Sequence, residues 1–395
     1  MYKRQVFDGT NTYLLHHPGT PEGFVRVGHI KVYSGRHPCV VANTATSIGG
    51  VITATIMVDQ SVDERALRDF AARAIHEAFH VFQTTTPRTW GADETQMLLY
   101  PVNDIDLLIL RRLETDALRR ALEARDQAIA AGWAQTALRL RHERFARLDS
   151  GFVSYERGIE ALEGTAMYVE YRAAQRTVKL PAWGFPVEAV RRRAYFTGLA
   201  WALLLDRFDP DWSQGFTEDT SRYLDKDLEE RLKCLLKFPD CVFSSIERKH
   251  IEEACRRDLR QWEVARDSLE AALRSAPGWC LTIETDPGVP LEPIGFDPMN
   301  IRRLRRSLLH TRFLKLRNYA GTFSVLDNTV LTEAAGPHPL FNGIRRVEVP
   351  GLAQEPDVRI DADSVIVEMP GMMVRFREAE VEKRQHQIII HLKRK

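Results

Sequence analysis

The rhythm of apolar and polar positions changes twice along the chain. Residues 24–33 alternate apolar with polar, and residues 51–58 are rich in β-branched side chains. Both patterns predict strands. Turns fall at Asp8-Gly9, Pro18-Gly19, Ser34-Gly35 and Gly49-Gly50, so residues 6–60 read as an antiparallel sheet. The period then lengthens. Leu67, Phe70, Ala71, Ala74, Ala78 and Phe82 recur at helical spacing. Ser61 and Glu64 have the form of a capping box before this run, and Thr84-Thr85-Thr86-Pro87 ends it. Helical patterning continues through residues 89–148, with Gly132 expected to break it, and through 225–237 and Ser245–Arg274. From residue 279 short alternating runs return at 322–326, 345–349, 358–360, 364–368 and Gln387–Leu392. They predict a β-sandwich or barrel. The chain thus divides at 6–60, 61–278 and 279–395.

Composition removes some function classes. The 395 residues carry 55 basic and 54 acidic side chains, a net charge of +1. Nothing in that balance suggests nucleic acid or an anionic membrane as a partner. The longest apolar run, residues 194–205, is too short to span a bilayer and fits a buried helix of a soluble protein. Five cysteines form no Cys-x-x-Cys pair, which argues against a disulfide framework and a cysteine zinc site. A reducing, cytoplasmic setting is expected. Arg191 to Arg193 and Arg302, Arg303, Arg305 and Arg306 are expected as solvated helix faces, the alternative being that one of them anchors a substrate carboxylate. Met1 to Gln5 reads like the translated end of a sequencing adapter, so these residues are expected to carry no core position and to stand in for a missing natural start.

The candidate chemistry lies in the first helix. His76, Glu77 and His80 form an HExxH pattern. Residues four apart share a helix face, so both imidazoles can reach one metal ion. Glu77 projects about 100° from His76 and can act as general base on a water at the open coordination position. Two neutral histidines call for one more ligand, and a carboxylate suits a zinc ion. Glu156, Glu160, Glu163 and Glu170 fall near one face of a helix, among apolar neighbours that turn them inward. Glu160 and Glu163 are both candidate ligands, and another of the four could orient a ligand histidine. His142, His310, His338, His386 and His391 lack ligand spacing and read as surface or structural.

Together HExxH and the segment Glu163-Gly164-Thr165-Ala166-Met167-Tyr168-Val169-Glu170 resemble the gluzincin zinc metallopeptidases. The likeness is to the EGxAxYxE segment of the aminopeptidase N type. It implies Glu163 as third zinc ligand, in preference to Glu160. Tyr195-Phe196-Thr197-Gly198-Leu199-Ala200 is similar to that group's YxKGA segment, which implies Tyr195 as a donor to the oxyanion. The resemblance spans residues 61–208. It departs from the family's pattern in the long stretch 81–162 between His80 and Glu163, in Thr197 where a lysine is usual, and in lacking a GAMEN-like segment. It therefore implies the superfamily and not exopeptidase specificity.

The resulting expectation is an α+β chain: an antiparallel sheet packed on a mainly helical zincin-like catalytic domain, followed by a β-rich domain. The implied activity is zinc-dependent hydrolysis of a peptide or protein substrate. Two rivals are a non-catalytic zincin-fold binding module and a di-iron carboxylate bundle, since Glu77 and His80 also satisfy ExxH.

Overall fold

The structure is a computed structural model that describes residues 3–41, 43–58, 64–182, 184–235, 237–361 and 363–393. The capping box at residues 61–64 lies outside the described residues except for the backbone of Glu64. The fold is mixed α+β, and contacts divide it into two compact units. One comprises Met1–Asp93 and Val102–Cys255; the other comprises Glu94–Pro101 and Arg256–Lys395. The expected divisions at 60 and 278 follow the changes in secondary structure, whereas compactness keeps the first sheet with the helices.

The first unit opens with strands β1 (Arg4–Phe7), β2 (Asn11–Leu15), β3 (Val25–Val27), β4 (Ile30–Ser34), β5 (Thr44–Ile48) and β6 (Val51–Met57). Their order is β3-β4-β2-β1-β6-β5. The sheet is not wholly antiparallel, because β1 pairs with β6 in parallel. That pairing puts the first strand in the middle of the sheet. Arg4 and Gln5 therefore belong to the fold, paired with Leu15 and Leu14 on one side and with Ala54 and Thr55 on the other. Gln5 is fully buried, contrary to the expectation that the first five residues hold no core position. Between β5 and β6, Gly49 and Gly50 both have positive φ, the backbone that a two-residue hairpin turn requires. Thr53, Ala54, Thr55 and Ile56 are all buried, so β6 is covered on both faces, and helix α1 (Glu64–Gln83) packs against it. The helix stops because Thr84, Thr85 and Thr86 turn their hydroxyls back onto the carbonyls of Val81, Phe82 and Gln83.

Helices α2 (Ile105–Glu123) and α3 (Gln127–Phe145) form a closely packed pair. The break falls at Ala124–Asp126, where Asp126 caps α3, and not at Gly132 as expected. Gly132 lies inside α3, where a Cβ would come 2.3 Å from the carbonyl oxygen of Pro239. It serves close approach rather than termination. Residues 89–104 are irregular apart from a short 3-10 turn at Glu94–Gln96. Then follow α4 (Ser150–Ile159), a π-helical turn at Glu160–Gly164, α5 (Thr165–Ala174), α6 (Val190–Phe208), α7 (Leu224–Lys233) and α8 (Ser245–Arg274). The apolar run 194–205 is the buried heart of α6, with Trp201 fully enclosed. Among the described residues no helix is long and apolar enough to cross a membrane.

Charge is buried here on a scale the sequence hides. Arg141 joins Glu114, Glu160 and Asp225, while Arg144 joins Glu114 and Glu156. Arg193 joins Glu114 and Glu156, and Arg157 joins Asp225. Of the cluster expected to be solvated, Arg191 and Arg193 are buried and only Arg192 faces water. Arg302, Arg303, Arg305 and Arg306 are exposed as expected, but on a strand (Ile301–Arg303) and its turn rather than a helix.

The second unit holds a seven-stranded and a six-stranded sheet. Leu281, Ile283 and Val347 of the first and Phe323, Val325 and Val374 of the second share one core, which makes it a sandwich. Leu98, from Glu94–Pro101, is buried in that core. His310 is enclosed against Thr332, and His338 reaches the Thr95 carbonyl, both structural placements.

Candidate metal centre

Helix α1 lines a cleft of about 530 Å³ with His76, Glu77, His80 and Gln83. Leu162, Glu163 and Tyr195 border it from the π-turn and α6, and Asn43, Thr44 and Ala45 from the start of β5. The structure brings His76, His80 and Glu163 together as a group that could hold a metal ion. The two Nε2 atoms are 3.1 Å apart, and Glu163 Oε2 lies 3.6 Å from His76 Nε2 and 3.2 Å from His80 Nε2. Ligands bound at roughly 2.1 Å to a tetrahedral ion sit roughly 3.4 Å from one another. The triangle fits.

Proton positions follow from the partners behind each ring. Gln83 sits between His80 Nδ1, 2.7 Å away, and the Leu162 carbonyl, 2.9 Å away. A carbonyl only accepts, so the Gln83 amide nitrogen faces Leu162 and the amide oxygen faces His80. His80 Nδ1 must then donate, leaving a lone pair on Nε2. His76 Nδ1 lies 3.2 Å from Glu170 Oε2, within ion-pair distance but without hydrogen-bond geometry, and that carboxylate favours the ring proton on Nδ1 over Nε2. Three lone pairs, two neutral and one anionic, thus converge at under 4 Å. They repel unless a cation lies among them. A proton can take that place in the absence of metal. Burial lowers the basicity of His76, but the surrounding carboxylates of Glu163, Glu170 and Glu77 outweigh it and push its pKa up to about 10. Burial raises the Glu163 carboxyl, yet the hydrogen bonds from His76 and His80 bring it below its ordinary range.

Glu163 is presented by the π-turn. Its other oxygen, Oε1, accepts from Arg191 at 3.1 Å, so a single oxygen faces the histidines. A turn with i to i+5 bonding resets the helix phase, and such bulges recur at functional sites. Here Glu160 points to Arg141 and Thr197 within the buried ionic network, away from the cleft. Two glycines let the bulge form against α6. A Cβ on Gly164 would lie 2.6 Å from Gly198 Cα, and one on Gly198 would lie 2.6 Å from the Glu160 carbonyl oxygen.

Glu77 is 8 % exposed and makes no hydrogen bond or ion pair among the described residues. Burial pushes its carboxyl up, opposed by His76 and His80. Burial and the neighbouring Glu163 push the Tyr195 hydroxyl well above its usual range, so it remains a donor. Gln83 and Arg176 escaped the sequence reading, and Arg191 was expected to be solvated rather than to hold Glu163. Arg176 pairs with Asp69 and with Glu170 Oε1, holding the carboxylate that supports His76. Gln83 lies three residues past His80 on the same helix face, a position that by itself carries no ligand signature. Among the described residues there is no second cluster of this kind, as a two-metal bundle would require.

Comparison with family models, characterised proteins and solved structures returns no match. What this centre does must be argued from its own atoms.

Proposed function

We propose that the protein is a zinc-dependent metallohydrolase acting on peptide bonds, with His76, His80 and Glu163 as ligands and Glu77 as general base. The observation that carries this reading is the convergence of two imidazole nitrogens and one carboxylate oxygen at near-tetrahedral spacing, beside a buried carboxylate with no hydrogen bond or ion pair among the described residues. Two imidazoles and one carboxylate are a donor set that zinc accepts with a position left open. A zinc ion so held supplies a Lewis acid that polarises a carbonyl and lowers the pKa of water. Glu77 takes the proton of the attacking water and returns it to the departing amine. Tyr195, protonated and bordering the cleft, donates to the oxygen that gains charge.

A peptide is favoured because β5, whose first residues border the cleft, is an edge strand of its sheet. An extended substrate can continue the sheet there. The resemblance of the HExxH and EGxA segments to gluzincins points the same way.

The test is zinc content together with cleavage of a peptide library by the wild type and Glu77→Gln. We expect one zinc per chain in both, with turnover lowered about 10²- to 10⁴-fold or more in the variant. Tyr195→Phe should keep the metal and lower kcat with little change in KM. Equal cleavage by wild type and Glu77→Gln sinks the mechanism. Zinc binding with no peptide ever cleaved replaces it with a non-catalytic binding module.

A further inference from the structure

The support behind the two histidines is unequal. His76 is backed by a carboxylate, whereas His80 is backed by the neutral amide of Gln83. Gln83 is 3 % exposed, and both ends of its amide are engaged. Its oxygen accepts from His80 Nδ1, while its nitrogen donates to the Leu162 carbonyl at 2.9 Å and approaches Thr165 Oγ1 at 3.3 Å. Leu162 immediately precedes Glu163, and Thr165 follows it by two residues. One side chain therefore grips a ligand ring on α1 and the turn that presents the ligand from the other helix. No other described side chain is hydrogen-bonded both to a ligand ring and to the backbone of that turn.

We propose that Gln83 is a positioning residue for the metal centre, fixing His80 in the tautomer that offers Nε2 and holding the π-turn that brings Glu163 to meet it. The inference rests on the metal reading above but not on the hydrolysis. An amide suits the task because it donates and accepts at once. A carboxylate could accept from His80 but would face the Leu162 carbonyl with a second acceptor. An aliphatic side chain would leave both Nδ1–H and that carbonyl unpaired in a buried place.

The experiment measures zinc affinity by competition with a chromophoric chelator, the visible spectrum of the cobalt-substituted protein, and the melting temperature of the metal-free protein. It compares the wild type with Gln83→Met, which keeps length and bulk, and with Gln83→Glu. Gln83→Met should weaken zinc binding about 10- to 100-fold and alter the cobalt spectrum. Gln83→Glu, which still accepts from His80, should recover part of the affinity. A role confined to packing would lower the metal-free melting temperature and leave the affinity and spectrum of the folded protein at wild-type values; that outcome overturns the proposal. So does zinc binding by Gln83→Glu no tighter than by a weakened Gln83→Met, because an acceptor for His80 Nδ1–H would then make no difference. Failure to bind zinc in the wild type overturns the metal reading itself, and this inference with it. Zinc-binding differences without any hydrolysis uphold this inference while removing only the catalytic one.

Discussion

Glu160 and Glu163 sit within one turn of each other and have opposite surroundings. Glu160 lies against Arg141 and Thr197 in the sealed ionic network, and Glu163 opens onto the cleft and the histidines. Their removal should therefore have opposite signatures. Glu163→Ala should abolish most zinc binding at a smaller cost to the metal-free fold than Glu160→Ala, because it removes a partner of Arg191 and the histidines at the cleft rather than inside the sealed network. Glu160→Ala leaves Arg141 short of a buried partner and should cost about 3–5 kcal/mol, with zinc retained by the protein that stays folded. Denaturant titration and zinc content of the two variants check this, and loss of zinc in Glu160→Ala alone would reverse the ligand assignment. Glu163 was legible in the sequence only through its Gly-x-Ala context, since its spacing equally allowed Glu160. Gln83 carried no such mark. An amide three residues past a histidine is an ordinary feature of a helix surface, and only its two hydrogen bonds give it meaning.

At the level of elements, regular periodicity was readable and departures from it were not. Helix α1 and the alternating strands have one face to hide, and their apolar spacing says so, while the unbroken apolar run 194–205 marks α6 as a helix buried nearly all round. Helix α2 buries Arg111, Arg112, Glu114 and Asp116, which in a sequence look like a wetted face. The π-turn was illegible for a related reason, because a five-residue turn differs from the helices on either side by a single residue of phase. What the sequence did carry was its pair of glycines. Gly164→Ala sets about 1 kcal/mol of improved helix propensity against a Cβ placed 2.6 Å from the Gly198 backbone, which cannot yield as a flexible side chain would. The clash wins by this reckoning. Both Gly164→Ala and Gly198→Ala should lower the melting temperature by an amount reflecting about 1–3 kcal/mol, and should weaken zinc binding by shifting Glu163. Calorimetry with and without zinc measures both effects. Unchanged melting in both variants would mean the helices separate easily, and the account of the bulge would be wrong.

Across the whole molecule, the two units should respond differently to acid. In the second, burial brings the pKa of His310 down to about 3. Its folded value lies below the unfolded one, so as pH falls the unfolded chain takes up a proton first. Stability is then full above about 6.5 and declines toward about 3, by up to about 1.4 kcal/mol per pH unit. In the first unit Glu114, Glu156 and Asp225 are held below their ordinary values: burial raises each, but the surrounding arginines outweigh it. Their contribution is complete above about 4 and is lost only below that. Acid titration followed by hydrogen exchange should show residues 279–392 opening first, and His310→Gln should flatten the loss between pH 6.5 and 3. Simultaneous opening that His310→Gln leaves unaltered would count against it. The second unit also contains Glu94–Pro101, a segment synthesised long before the rest of that unit. During translation Leu98 must wait in water for the sandwich that will enclose it, together with the Thr95 and Leu98 carbonyls that His338 and Arg303 later bind. The nascent first unit therefore carries a sticky loop until the last strands emerge. No single cut between the units can yield two clean halves: an early stop leaves that loop bare, and a late start leaves the sandwich with an open seam.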